Sequence, residues 1–131
     1  MNRLFGLLVA VSLFISCSKE PGEGGNSVIK GQVIERRFII YPGNFVETAL
    51  TDEDVFICYG DDDNTVDDRV RTSFDGSFKF SELRKGKYRI FLYSEDTTAS
   101  NRGNQVVVIK DIEVTENRSD TDLGLIRIFN F

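Results

Sequence analysis

The chain contains no histidine and no tryptophan, and only two cysteines, two prolines and one methionine in 131 residues. Without histidine there can be no Ser-His-Asp or Cys-His nucleophile and no zinc site with an imidazole ligand. Carboxylate or lysine chemistry survives that exclusion, but no residue pattern points to it, so the chain reads as non-enzymatic with no cofactor. A basic surplus is also missing. The formal net charge is −5, and no cluster of lysines or arginines offsets it, which disfavours nucleic acid as a partner. Long apolar runs are missing too, except Leu4 to Ile15. Those twelve residues fall short of the roughly 20 that a helix needs to cross a bilayer.

What is present begins with that run. Arg3 precedes it, and Ser16-Cys17 follows it, the layout of a cleaved secretory signal. Phe14-Ile15-Ser16-Cys17 resembles the lipobox of bacterial lipoproteins, Leu-(Ala/Ser/Thr/Val/Ile)-(Gly/Ala/Ser)-Cys, departing where Phe14 replaces leucine. The resemblance implies removal of residues 1–16, a diacylglyceryl thioether on Cys17 and an acyl chain, such as palmitate, on its amino group. Two or three chains suffice for stable membrane anchoring. Ser18 stands where an aspartate would signal retention in the inner membrane. The expected location is therefore the cell envelope, at the outer membrane. A lipidated Cys17 could not pair with Cys58, whose neighbours Val55, Phe56, Ile57 and Tyr59 suggest a small buried hydrophobe.

Residues 18–27, Ser-Lys-Glu-Pro-Gly-Glu-Gly-Gly-Asn-Ser, have three glycines and almost nothing to bury, so 17–27 is expected to be a lipidated, flexible tether. Residues 28–131 suffice for one domain. Its strand signals are Val28–Glu35, Arg37–Tyr41, Val55–Tyr59, Arg69–Ser73, Ser77–Phe80, Lys87–Ser94, Gln105–Val114 and Leu123–Ile128, the second continuing the first or standing apart. About seven short strands separated by turns predict an all-β, antiparallel Greek-key-type sandwich. Asp75-Gly76, between two such runs, predicts a hairpin turn.

Thr72-Ser-Phe-Asp-Gly-Ser-Phe-Lys-Phe80, then Leu83, then Gly86-Lys-Tyr-Arg-Ile-Phe-Leu92, resembles the carboxypeptidase regulatory-like family. That family has a transthyretin-like (prealbumin-like) sandwich and the pattern T-x-x-D-G-x-F-x-F, leucine, G-x-Y-x-aliphatic. The residues fit it physically. Asp75 and Gly76 serve the turn, Phe78 and Phe80 share one face, Leu83 plugs the loop end, and Gly86 opens a strand that buries Tyr88, Ile90 and Leu92. Gly31 matches the family's opening strand. Segment 36–54 is longer than the family's and could add an edge strand or a folded loop. The transthyretin-like 5-hydroxyisourate hydrolases share this architecture but need histidines and a terminal Tyr-Arg-Gly-Ser, whereas this chain ends Ile128-Phe-Asn-Phe131.

Two features could bind. Asp61, Asp62, Asp63, Asp67 and Asp68 crowd one loop, and calcium takes six to eight oxygen ligands. An EF-hand starting at Asp61 fails, however, because Val66 and Thr72 stand where glycine and glutamate are required. A solvated turn is the simpler expectation, with a calcium-stabilised adhesin-like module as the alternative. If Tyr88, Ile90 and Leu92 face the core, Phe91 and Tyr93 point outward beside Lys87 and Arg89. They could stack on a glycan, contact an envelope protein or peptide, or lie beneath segment 36–54.

Overall fold

A computed structural model describes residues 20–39, 43–61, 65–98 and 104–130. They form eight strands: β1 (Glu23–Phe38), β2 (Phe45–Ala49), β3 (Asp54–Tyr59), β4 (Asp68–Arg71), β5 (Ser77–Leu83), β6 (Gly86–Glu95), β7 (Gln105–Val114) and β8 (Asp120–Asn130). Two four-stranded sheets face each other. One runs β4-β3-β6-β7, all antiparallel. In the other, β8 lies parallel along one edge of β1, while β5 and β2 are antiparallel to β1. Ile29 pairs with both Phe80 and Thr121, and Ile34 with both Ala49 and Arg127. So β5 and β2 share the remaining edge of β1, end to end.

The core follows from period-two alternation on both sheets. Ser27, Ile29, Gly31, Val33 and Glu35 of β1 point inward without a break. They meet Phe78, Phe80 and Leu83 of β5, Val55 and Ile57 of β3, Tyr88, Ile90 and Leu92 of β6, and Ile126 and Ile128 of β8. Gly31 leaves room for a ring: a Cβ there would lie 2.8 Å from Phe78 Cζ.

Three expectations change. First, the ordered body starts well before Val28. Gly22 N–H donates to the Tyr88 hydroxyl at 2.9 Å, Arg84 N–H donates to Gly22 O at 2.9 Å, and Ser27 is fully buried. Pro21 packs on Gly86, where a Cβ would come within 2.3 Å of Pro21 Cγ. The glycines read as tether residues instead permit close backbone approach, since a Cβ on Gly25 would meet Leu83 O at 2.1 Å. Of the expected tether, residues 17–19 lie outside the described residues.

Second, Asp75-Gly76 makes a tight turn but no hairpin. Gly76 has φ +79°, and Asp75 Oδ1 accepts from Ser77 N–H at 3.0 Å and from the Ser77 hydroxyl. Yet β4 pairs with β3 and β5 with β1, so the turn carries the chain from one sheet to the other. Third, strand count and polarity differ: segment 36–54 adds an edge strand, one of the two outcomes expected of it, as β2, which prolongs the β1 edge beyond β5. This adds a strand to the seven expected and places one parallel pair, β1 with β8, in a sandwich expected to be antiparallel.

Candidate functional site

The outer face of the β4-β3-β6-β7 sheet carries an apolar platform built by register. Arg69, Phe56, Phe91 and Ile109 form one row across the four strands, and Tyr93 pairs with Val107 in the next. The inward partners Val55, Ile57, Ile90 and Leu92 are fully buried, which forces their neighbours outward. Phe56 and Phe91 stack with ring centroids 5.1 Å apart, and Tyr93 meets both edge-on at 6.0 Å. The two phenylalanines are half-buried. Tyr93, Val107 and Ile109 remain 40%, 49% and 47% exposed, on a face that no other described strand covers.

Ion pairs rim the platform. Arg89 holds Asp111 through two contacts of 2.7 and 3.2 Å, and its guanidinium keeps the Asp111 carboxyl below the usual carboxylate range. Arg71 bridges Asp52 at 3.1 Å and Asp54 at 3.2 Å, and Arg69 stands 3.7 Å from Asp54. Such exposed pairs contribute little stability each, but they fix charged groups around an apolar centre. A shallow groove of about 410 Å³ adjoins this rim, bounded by Asp61, Lys87, Arg89, Asp111 and Glu113.

Phe91 and Tyr93 thus point outward as the alternation predicts. Segment 36–54 does not cover them among its described residues, because its strand belongs to the opposite sheet. Phe56, Val107 and Ile109 escaped sequence reading. Their strands are apolar on both faces, and the outward set emerges only once β3 and β7 are registered against β6.

The acidic loop is described in part. Asp67 Oδ2 accepts from Tyr59 N–H at 2.6 Å, Asp68 Oδ1 from Arg69 N–H at 2.8 Å, and Asp61 lies 3.8 Å from Lys87 Nζ. These three serve the β3–β4 connection, while Asp62 and Asp63 lie outside the described residues. Among the described residues no group of three His, Cys, Asp or Glu side chains is placed to hold a metal ion. Cys58 is a buried thiol, registered opposite Arg89. Cys17 lies outside the described residues.

The fold-motif residues hold the sandwich. Phe78, Phe80, Leu83 and Tyr88 are buried in one core. Tyr88 also uses its hydroxyl, donating to Arg84 O at 2.6 Å while accepting from Gly22 N–H.

No family model matches the chain, and no curated protein matches its sequence. Among solved structures, the chain is similar to a candidate carbohydrate-binding protein of Pseudomonas aeruginosa, with a TM-score of 0.47 and 14% identity, covering 83% of this chain and 91% of that one. It is also similar to part of a 9R-lipoxygenase from Cyanothece PCC8801, with a TM-score of 0.34 and 14% identity over 80% of this chain. That match spans only 16% of the lipoxygenase. Neither likeness bears on what this chain binds.

Proposed function

We propose that this protein is a lipid-anchored, non-catalytic module of the bacterial cell envelope that presents the outer face of its β4-β3-β6-β7 sheet to an envelope protein. The observation that carries this reading is the platform of Phe56, Phe91, Tyr93, Val107 and Ile109. Its three most accessible members leave 40% or more of their surface in solvent. Adjoining exposed apolar side chains ringed by charge are the usual anatomy of an interaction site. The acyl chains on Cys17 supply the membrane as the second partner. In this reading the carboxypeptidase regulatory-like pattern supplies a scaffold and the sheet face supplies the function.

A photo-reactive side chain placed at Tyr93, in the full chain within cells, tests the reading against one at Lys79 on the opposite sheet. A discrete adduct with an envelope protein is expected from Tyr93 and not from Lys79, and Phe91→Ala should abolish it. Adducts of equal pattern from both sites, or none from Tyr93, would overturn it. Glycan capture is the second reading, favoured by the stacked Phe56–Phe91 pair with Tyr93 beside it. Glycan-array binding that disappears in Tyr93→Ala would select it instead.

A further inference from the structure

An open sheet edge is a template for another strand, and natural sandwiches protect such edges with short strands, bulges, charges or proline. The edges of this protein differ in that respect. β2 has five residues with Glu47 at its centre, and β4 has four and carries Asp68, Arg69 and Arg71. β5 bears Lys79 and ends in a kink at Glu82, where φ is +58°. β8 bears Asp120, Asp122 and Arg127 and is interrupted by a register shift at Gly124, where φ is +68°.

β7 has none of these devices in its first half. It is ten residues long, pairs with β6 from Gly86↔Val114 to Glu95↔Gln105 without a register shift, and forms the outermost strand of its sheet. Gln105-Val-Val-Val-Ile109 has no charge, proline or glycine. The run is apolar on both faces: Val107 and Ile109 point outward, and Val106, on the inward side, is still 38% exposed. Its charges, Lys110, Asp111 and Glu113, lie in the second half.

We infer that β7 is a self-association edge, on which two copies of this chain pair β7 to β7, antiparallel, about a two-fold axis through the Val106–Ile109 run. The polarity of the strand selects this occupant. A parallel partner copy would set Asp111 and Glu113 against themselves. The two-fold arrangement lays apolar half on apolar half and carries the charged halves to opposite ends. With the axis at Val108, the two Asp111 residues stand about 20 Å apart at roughly 3.3 Å per residue. Val107 then faces Ile109 of the second copy, and the two aromatic platforms run together into one strip. An isologous contact of this kind closes on itself and leaves no free β7 edge to propagate. The inference stands apart from the partner reading, since it concerns the backbone edge of β7 and not the sheet face.

A single-cysteine scan from Gln105 to Val114, in the full chain in its own membranes under mild oxidation, tests it against the unsubstituted chain as control. Facing Cα atoms in an antiparallel pair lie about 4.5–5.5 Å apart, within disulfide range, so only positions at the axis can cross-link to themselves. The expected result is a band of twice the monomer mass that peaks at one position between Val106 and Ile109 and fades on both sides. Val107→Lys, introduced beside the peak cysteine, should weaken that band at least tenfold, whereas Phe91→Ala should leave it intact. No self-cross-link, a uniform band at all ten positions, or adducts with a different protein would overturn the inference.

Discussion

At the scale of single residues, much of the specification rests on positions where a backbone or a hydroxyl has no alternative partner. Gly76 combines a φ of +79° with a site where a Cβ would lie 2.3 Å from Val33 O. Val33 N–H donates to Gly76 O at 2.8 Å, and Leu50 N–H to Val33 O at 3.1 Å, so the glycine sits where β2 and β5 meet along the β1 edge. Gly76→Ala should therefore cost about 2–4 kcal/mol in urea unfolding, through strain and a displaced ladder. A loss under about 0.5 kcal/mol would contradict that geometry. Tyr59 makes a different prediction. Its phenol is pushed up to about 12 by burial, with Glu23, Asp68, Asp67 and Tyr88 adding to the shift. The folded state favours the neutral phenol, so this contribution is intact below pH 10 and is lost as pH rises towards 12. Burial raises the Tyr88 phenol as well, so absorbance at 295 nm should show a late-titrating signal that Tyr59→Phe reduces by one tyrosine; loss of an early-titrating one would count against it.

At the scale of elements, β1 organises the molecule. Its 16 residues run along β8 on one edge and past β5 and then β2 on the other. The β1 end beyond the core shows how far it reaches: Phe38, Ile39, Phe45 and Val46 are each 39–47% exposed. Arg36 lies 4.0 Å above the Phe45 ring and hydrogen-bonds Glu47, which also accepts from Arg127, so the arm is braced on its outer side. The opposite end of β1 is held by Tyr88 of β6. Tyr88→Phe would leave Gly22 N–H without its acceptor and should cost about 1–3 kcal/mol. Hydrogen exchange should accelerate over residues 22–27 and not in β3. Unchanged protection there would mean that the segment is held by other contacts.

The legibility of these elements from sequence was uneven, for physical reasons. Alternation in Lys87–Ser94 shows which side chains share a face, because period two is local, and the burial of Tyr88, Ile90 and Leu92 agrees. Asp75-Gly76 announces a turn because positive φ is also local. The partner of each flanking strand is not local, so β4 and β5 read as a hairpin although they belong to different sheets. Composition misled at residues 20–27, where glycines that suit a flexible tether equally suit a backbone pressed against Leu83 and Arg84.

At the scale of the whole molecule, two sheets bury one core, and the proposed function rests on the outer face of one of them. The proposed anchor adds orientation. Five residues, 18–22, separate Cys17 from β1, a span of at most about 18 Å when extended. A body tied this closely keeps the start of β1 near the bilayer. Cys17→Ser should move the protein from the membrane to the soluble fraction and abolish labelling by a radioactive fatty acid, without changing the Tm of the folded body. Retention of label in Cys17→Ser would rule out lipidation at that residue.

The amino-acid sequence alone determined the all-β class, the inward and outward faces of β6, and the absence of imidazole chemistry. Each depends on composition or on neighbours one or two residues apart. The tertiary structure decided what pairs with what: the crossing at Gly76, the parallel β1–β8 ladder, the docking of residues 22–27, and the meeting of Phe56, Phe91, Tyr93, Val107 and Ile109 on one face. Those outcomes join residues as many as 93 positions apart, such as Gln32 and Leu125 on adjoining strands, and local periodicity carries no record of such partners.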